Sequence, residues 1–393
     1  MISVTRLLCD QIGPQDRLRY RWREEAEIHG ELEANLNRKP IVVWNSTKAC
    51  NLRCIHCYYT ARAEPDPNEL TTEEAKAFID DLADFGVPVL LFSGGEPLMR
   101  EDLFELGAYA VEQGLRTVIS TNGTLIDQEA AGRIKEAGFS YVGISLDGIG
   151  PTNDRFRGMQ GAFDAALRGF RHCEAAGVRT GLRLTLNKHN VADLPNILDL
   201  LQEERIPRAC FYHLVYAGRG KRMQADDLTL EETRAAVDVI FDRALEFQRE
   251  GFDIEILTVD NHADGPYLLQ RVAQDQPERY DEVFELLRAN GGNATGIGIA
   301  AVDHLGHVHP DQFWQHHNFG NVRERPFGEI WTDLSDPLMA GLKDRKPLLT
   351  GRCAECRYLE LCNGNFRVRA EAVHGDVWAP DPACYLTDEE IRG

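Results

Sequence analysis

Three cysteines stand close together in the first sixth of the chain. Cys50, Cys54 and Cys57 follow the spacing C-x3-C-x2-C within the stretch KACNLRCIHCYY. Cysteine thiolates hold iron–sulfur clusters, normally one per iron, whereas a closed structural zinc site needs four ligands. Three cysteines in a tight loop therefore suit a four-iron cluster with one iron left open, which is typical of a catalytic site. A zinc loop is the alternative.

A second group of cysteines lies near the carboxyl end of the chain. Its members are Cys353, Cys356, Cys362 and Cys384. Four thiolates complete a four-iron cluster and leave no iron open. A structural zinc site is again the alternative, because zinc also accepts four cysteines.

Composition bounds the class of protein. The chain has 393 residues, 43% hydrophobic and 27% charged, which suits one large domain with appendages or two domains. The net charge of −20 disfavours non-specific binding to nucleic acid or anionic membranes. No apolar run reaches the roughly 18–20 residues that span a bilayer, and the N-terminus does not resemble a signal peptide. We therefore expect a cytoplasmic protein whose ten cysteines serve metals or catalysis rather than disulfides.

The elements that must position these cysteines alternate regularly between residues 41 and 215. Apolar runs predict six strands, at 41–44, 87–93, 116–121, 141–146, 179–186 and 208–215. Amphipathic segments between them predict helices at 71–86, 100–114, 127–138, 161–177 and 191–204. Strands that alternate with helices favour an α/β fold with a parallel sheet.

Outside this region the pattern is less regular. Residues 1–40 are charged and predict a helical segment on the side of the sheet. Further helices are predicted at 229–250 and about 266–290, with a partly extended segment at 252–267. From residue 297 the pattern predicts a β-hairpin that turns near His304–Gly306.

Polar motifs follow the predicted strands at the points where the strands end. The cysteine trio follows the first strand, SGGEP at 93–97 the second, STNG at 120–123 the third and SLDG at 145–148 the fourth. Parallel sheets bind their ligands at the carboxyl ends of the strands. The sequence therefore predicts that these four loops form one site.

The trio, followed in order by GGEP, STNG and SLDG, resembles the radical S-adenosylmethionine (radical SAM) family. The resemblance implies a partial (β/α)6 barrel in which the three cysteines hold a [4Fe–4S] cluster and SAM chelates the open iron. Electron transfer then cleaves SAM into methionine and a 5′-deoxyadenosyl radical. Glycines at 94 and 95 are expected to let the backbone approach a ligand closely. The residues assigned to cofactor binding are Tyr58, Gly94, Gly95, Glu96, Pro97, Ser120, Asn122, Ser145, Asp147, Arg183 and Asn187.

The C-terminal cysteines, preceded by FGNVRERPFGEIW at 319–331, resemble the SPASM/twitch extension of radical SAM enzymes. That extension carries auxiliary four-iron clusters, and a full module has more cysteines and two clusters. Four cysteines therefore imply one auxiliary [4Fe–4S] cluster. The implied division is an N-terminal helical segment (1–40), the partial barrel (41–228), a helical connecting and substrate region (229–296) and a SPASM/twitch-like domain (297–393).

Almost the whole chain resembles the radical SAM enzymes of alternative haem and d1-type haem biosynthesis. The tracts FYHLVYAGRG, LTVDNHADGPY and VHPDQFWQHH are most similar to the 12,18-didecarboxysiroheme deacetylases of this group. The resemblance implies removal of acetate side chains from that tetrapyrrole to give iron-coproporphyrin III. The alternative is the activity of the sister enzymes, which act on the propionates of the same tetrapyrrole toward d1-type haem.

Three sets of residues suit a flat macrocycle with carboxylates and a central iron. A cationic tract could pair with the carboxylates of the macrocycle, and it comprises Arg219, Lys221 and Arg222. The plainer interpretation of this tract is a solvated loop. Rings able to stack on the macrocycle are Phe313 and Trp314, with ordinary core as the plainer interpretation. Histidines suited to axial ligation of substrate iron or to acid–base catalysis are His213, His262, His309 and His317, each of which also suits a structural role.

Partners and rival functions follow from the same residues. A radical SAM enzyme needs a reductant such as flavodoxin or ferredoxin, and the auxiliary cluster suits an electron relay. A SPASM-type peptide-modifying enzyme is one rival, although such enzymes usually carry a small peptide-binding domain before the barrel and only about 40 residues precede the first strand here. A zinc-dependent nucleic-acid-binding protein is another, and the acidic charge opposes it.

Overall fold

The computed structural model describes residues 1–13, 16, 20 and 30–392. Within them, ten strands form one sheet in the order β1-β8-β7-β6-β5-β4-β3-β2-β9-β10. The strands are β1 (Ile2–Ser3), β2 (Ile41–Thr47), β3 (Val89–Gly94), β4 (Arg116–Thr121), β5 (Tyr141–Ser145), β6 (Thr180–Leu186), β7 (Arg208–His213), β8 (Glu255–Val259), β9 (Ile299–Val302) and β10 (Val308–His309). The eight inner strands, from β8 to β9, run parallel, and β1 and β10 pair antiparallel at the two edges.

The six predicted strands are confirmed as β2 to β7. Most of their apolar side chains are buried, and those of Trp44, Phe92 and Ile144 are fully buried. Strands covered on both faces read as continuous apolar runs, which is why the sequence predicts them well.

Two further parallel strands extend the sheet beyond the six predicted between residues 41 and 215: β8 lies in the segment predicted as partly extended, and β9 is the first strand of the predicted hairpin. β8 pairs with β7, and β9 pairs with β2, so the sheet continues past the boundaries predicted at 228 and 297. β8 begins with the buried Glu255, which forms an ion pair with Arg208 of β7. A charged residue in so short a strand hides its apolar pattern.

The helices pack around the sheet and mostly match the predictions. Thr71 caps one helix with a capping box that includes Glu74, and Gly86 ends it with φ of 85°. The helix predicted at about 266–290 is two helices, separated by a turn that begins at Pro277. The bounds are Val4–Leu8, Glu31–Asn37, Thr72–Phe85, Leu103–Glu112, Gln128–Glu136, Pro151–Arg157, Ala162–Ala175, Leu194–Glu203, Leu230–Arg249, Asp264–Asp275, Tyr280–Asn290, Phe327–Thr332, Pro337–Lys343, Gly351–Ala354, Leu359–Cys362, Arg367–His374 and Asp388–Arg392.

The N-terminal segment differs from the helix predicted over 1–40. It opens with strand β1, which pairs with β8, and only then continues into helix Val4–Leu8. The prediction for residues 14–15, 17–19 and 21–29 lies outside the described residues. At the other edge, the predicted hairpin is confirmed as β9 and β10.

The Cys-rich C-terminal part docks on the sheet through a buried cation. Arg369 forms a fully buried bidentate ion pair with Asp381, at 3.0 and 2.9 Å. The same guanidinium donates to the carbonyl oxygens of Leu214 (3.2 Å) and Asp260 (2.6 Å), which follow β7 and β8. A planar cation with five donors thus joins this part of the chain to the carboxyl end of the sheet. None of the helices in the described part of the chain is both long and apolar enough to cross a membrane.

Candidate active site at the carboxyl end of the sheet

The cysteine trio lies in the loop directly after β2. Cys50 and Cys54 are buried and Cys57 is half-buried, and their side chains pack together with Leu52 and Ala61. Burial raises the pKa of the Cys50 thiol to about 12. A thiolate in such a pocket needs a strong positive charge beside it, and a metal cluster supplies one. The three clustered thiols therefore fit the ligand set of an iron–sulfur cluster.

Arg157 supports one of these thiols. It donates from Nη1 to the Sγ atom of Cys54 across 3.7 Å, and it forms an ion pair with Asp147. Asp147 also accepts the backbone N–H of Thr185 at 2.8 Å and lies 3.6 Å from His56. Asp147, the carboxylate predicted to contact SAM, therefore holds Arg157 beside the cysteine loop.

The GGEP loop packs against the cysteine loop through its backbone. The N–H groups of Gly95 and Glu96 donate to the carbonyl oxygens of Thr47 and Ala49, each at 2.7 Å. A Cβ atom on Gly95 would lie 1.9 Å from the Ala49 oxygen, and Gly94 has φ of 129°. These glycines therefore permit contact between two loops, a role additional to the ligand approach expected of them.

Glu96 joins this loop to the STNG segment. Its buried carboxylate accepts Thr121 Oγ1 at 2.7 Å and the backbone N–H of Asn122 at 2.8 Å. Burial raises the pKa of Glu96 to about 7, although these hydrogen bonds lower it. Asn122 Nδ2 in turn lies 4.0 Å from Cys50 Sγ. Pro97, which is buried, begins the 3₁₀ turn that follows. Through Glu96 and Asn122, the cysteine, GGEP and STNG loops form one connected network.

A polar patch lies between these loops and the ends of β3, β6 and β7. Tyr58 donates to Asn45 Oδ1 and contacts Ser93 Oγ, both at 3.1 Å. Arg183 donates to the hydroxyl of Tyr212, and among the described residues it pairs with no carboxylate. Its positive charge therefore remains available to an anionic ligand.

The other predicted cofactor contacts divide into two kinds. Ser120 and Ser145 are half-buried on β4 and β5, and Ser145 lies in register with Arg183. Asn187 instead uses its amide within the turn after β6, donating to the Thr185 carbonyl and accepting the His189 N–H. Its side chain stabilises this turn.

The cationic tract lies in a 3₁₀ segment, Gly218–Asp226, that touches the cysteine loop. Arg219 donates to the carbonyl oxygens of Cys54 (2.9 Å) and Ala61 (3.0 Å), so most of its guanidinium holds this loop. Lys221 and Arg222 are exposed and make no ion pair with any described residue. These two cations, more than Arg219, have the freedom to meet a substrate carboxylate.

The predicted stacking rings behave differently from each other. Trp314 is fully buried and donates from Nε1 to Glu371. Neither face of its ring is accessible to a substrate, so Trp314 is a core residue and not the stacking residue that was predicted. Phe313 is half-buried, and its ring centroid lies 5.0 Å from that of Tyr58.

The four predicted histidines all have polar partners, and that of His262 is the N-terminal nitrogen of Met1, 3.1 Å from Nε2. His213 Nε2 lies 2.9 Å from Asp264, whose other oxygen accepts the hydroxyl of Tyr385 at 2.8 Å. His309 contacts the carbonyl of His317 at 2.7 Å. His317 contacts Glu371 at 2.9 Å. His213, His309 and His317 therefore each have a carboxylate or a carbonyl as partner.

The C-terminal cysteines also converge. Cys353, Cys356, Cys362 and Cys384 line one cavity. Burial raises the pKa of the Cys384 thiol to about 12, and Arg352 donates to the carbonyl oxygen of the same residue at 3.2 Å. Four thiols around one cavity fit a closed four-cysteine cluster.

Sequence reasoning missed one acidic residue of this region. Asp260 follows β8 with φ of 68°, is 6% exposed, and its Oδ2 atom is buried without a hydrogen-bond partner among the described residues. Burial raises its pKa to about 7. A strained backbone around an unsatisfied carboxyl is typical of functional sites. The tract LTVDNHADGPY contains it, but only the long-range pairing of β8 with β7 brings it to the site.

Comparisons with known proteins find relatives that cover the whole chain. The family model described as the radical SAM superfamily matches residues 44–201. The chain is 62% identical to Fe-coproporphyrin III synthase of Methanosarcina barkeri, covering 100% of this chain and 99% of that protein. It is 45% identical to pre-heme d1 synthase of Dinoroseobacter shibae, covering 90% and 87%. Streptococcus suis SuiB, solved with its precursor peptide, shares the fold with a TM-score of 0.73 at 17% identity, covering 92% and 80%.

Proposed function

Since the chain belongs to the radical SAM superfamily, we propose that it removes the two acetate side chains of 12,18-didecarboxysiroheme to give iron-coproporphyrin III. The observation that carries the proposal is the 62% identity, over the whole chain, to a protein named for synthesis of that product. The tracts that resemble the deacetylases support the same reaction from the sequence alone.

The chain's own residues supply the ligands and the frame for the cofactors. Cys50, Cys54 and Cys57 would hold the [4Fe–4S] cluster, and SAM bound at its open iron supplies the 5′-deoxyadenosyl radical. Arg183, with no carboxylate partner, suits the carboxylate or ribose of SAM. The apolar packing around the cysteine loop keeps water from the radical.

The substrate side is formed by residues around the 3₁₀ segment. Lys221 and Arg222, both exposed cations, would pair with propionate carboxylates, and Phe313 offers a half-buried ring beside Tyr58. Asp260, with its pKa raised to about 7, is suited to hold a proton for the departing acetate.

Electron delivery is the remaining requirement. The four C-terminal cysteines would hold an auxiliary [4Fe–4S] cluster that relays electrons, with flavodoxin or ferredoxin as donor. None of the ten cysteines forms a disulfide, which suits a reducing, cytoplasmic location.

A second candidate function is that of the sister enzymes, which act on propionates toward d1-type haem. The 45% identity to pre-heme d1 synthase favours it, but over less of the chain and less strongly. Peptide modification has weaker support, because PqqA peptide cyclase of Granulibacter bethesdensis is 28% identical to this chain and the peptide-bound SuiB is 17% identical.

One incubation separates these functions. The anaerobically reconstituted protein is mixed with SAM, dithionite and 12,18-didecarboxysiroheme, and the products are identified by mass. We expect loss of both acetates with the propionates intact. Loss or oxidation of a propionate would instead support the sister activity, and an unchanged tetrapyrrole would refute both.

A further inference from the structure

Two histidines and one glutamate from segments far apart in the sequence contact one another at the surface, and this cluster includes none of the cysteines described above. His316 and His317 lie in the loop after β10, and Glu371 lies on helix Arg367–His374. His316 Nε2 is 2.9 Å from Glu371 Oε2, and His317 Nε2 is 2.9 Å from Glu371 Oε1. We call these residues the surface triad.

The donor atoms of the surface triad already converge. One ligand atom from each residue lies within 4.8 Å of the other two. The two imidazole rings lie 4.5 Å apart between centroids, so both present Nε2 to the same carboxylate. Two imidazole nitrogens and a carboxylate, open to solvent on one side, are a typical donor set for zinc and related divalent metals.

Surrounding contacts hold the ligands in this orientation. Trp314, fully buried, donates from Nε1 to Glu371 Oε2. His309 donates from Nδ1 to the carbonyl oxygen of His317 at 2.7 Å. Hydrogen bonds of this kind orient the side chains that bind a metal directly, and they tune the affinity of the site for the metal.

We propose that His316, His317 and Glu371 bind one divalent transition-metal ion of the zinc class, separate from both iron–sulfur sites. The ion replaces the two imidazole–carboxylate hydrogen bonds and takes water in its remaining position. It joins the loop after β10 to the helix that carries Arg369, and therefore braces the docking of the Cys-rich part on the sheet.

Two properties of the surroundings bear on affinity. Burial lowers the pKa of His316, which favours the neutral imidazole that a metal requires. The positive field of Lys221 also acts on His316 and opposes binding of a cation. Removing the charge of Lys221 should therefore tighten metal binding, an effect that a simple hydrogen-bonded cluster does not predict.

The test titrates Zn²⁺ into the anaerobic, chelator-washed holoenzyme with both clusters loaded and follows binding by calorimetry. We expect one zinc per chain beyond the iron, with affinity at least about tenfold weaker in His317→Ala and Glu371→Gln and about tenfold weaker in Trp314→Phe. Lys221→Gln should bind more tightly. His374→Ala removes an exposed histidine from the same helix and serves as the matched control, with unchanged affinity.

Hydrogen exchange supplies a second measurement on the same samples. Zinc should slow exchange in helix Arg367–His374 of the parent but not of Glu371→Gln. Iron content and circular dichroism serve as the check that each variant is folded and holds both clusters. Absence of zinc binding by the parent, or equal binding by Glu371→Gln, would overturn the proposal.

Discussion

The guanidinium of Arg157 donates to the Sγ atom of Cys54 across 3.7 Å while Asp147 holds it in place. A buried cation is thus fixed beside one ligand of the proposed SAM-binding cluster. Hydrogen bonds and charge near cluster sulfurs set the reduction potential. This pair therefore links an internal ion pair to the ease with which the cluster accepts the electron that cleaves SAM.

Arg157→Lys should make that cluster harder to reduce. Lysine keeps a charge near Asp147 but loses the planar donor to Cys54, so we expect the potential to fall by about 60 mV, which is tenfold for a one-electron couple. This reduction potential is measured by a redox titration that is monitored by electron paramagnetic resonance, using the cluster signal that changes when SAM is added. Arg155→Lys, exposed on the same helix, is the control, and equal potentials in both variants would refute the role of Arg157.

Gly95→Ala should disrupt the cysteine loop, because the new Cβ would lie 1.9 Å from the Ala49 oxygen. We expect about half of the iron to be lost, as one of two four-iron clusters fails to assemble, together with 5′-deoxyadenosine formation. Gly132→Ala, in a helix with open space around the position, should instead be neutral or stabilise by up to about 1 kcal/mol. Full iron content in Gly95→Ala would contradict the loop-to-loop contact.

Asp260 should make stability depend on pH. Because its pKa is about 7 when folded and near 3.8 when unfolded, the folded state binds the extra proton, and stability falls as pH rises from about 4 to 7. Asp260→Asn removes this loss, so its melting temperature should exceed that of the parent more at pH 8 than at pH 5.5. The full effect is at most about 4 kcal/mol. A difference in melting temperature that is the same at both pH values would argue against a raised pKa.

Lys221 and Arg222 should act on substrate binding and not on radical formation. Replacing both with glutamine removes two unpaired surface cations, so we expect KM for the tetrapyrrole to rise about tenfold with little change in kcat. SAM cleavage without substrate should be unaffected. Lys135→Gln, which removes a surface lysine from helix Gln128–Glu136, is the control. An unchanged KM in the double variant would show that the two cations belong to a solvated loop and do not bind the substrate.

Local patterns explain what could be predicted from the sequence. The strands β2 to β7 follow from continuous apolar runs, and the loops after them follow from glycine, proline and small polar residues. The grouping of the cysteine, GGEP and STNG loops then follows from the parallel sheet, and Glu96 makes that connection directly through Thr121 and Asn122.

Long-range contacts explain what could not be predicted. Asp147 has the type and position of a cofactor contact, but its partner Arg157 lies on a helix that the sequence did not predict. Glu371 lies more than 50 residues from His316 and His317, so no local spacing reveals the surface triad. Trp314 has a ring suited to stacking, and only its burial shows that it belongs to the core.

In the proposed reaction, the iron left open by three cysteines is where SAM is cleaved to give the radical that removes acetate. The most direct measurement runs the parent and Cys57→Ala in parallel with SAM, dithionite and 12,18-didecarboxysiroheme, reading product mass and 5′-deoxyadenosine together. We expect iron-coproporphyrin III and 5′-deoxyadenosine from the parent, and neither from Cys57→Ala while the auxiliary cluster keeps its iron. A parent product that retains both acetates, or 5′-deoxyadenosine formed at the parent rate by Cys57→Ala, would refute this role of the open iron.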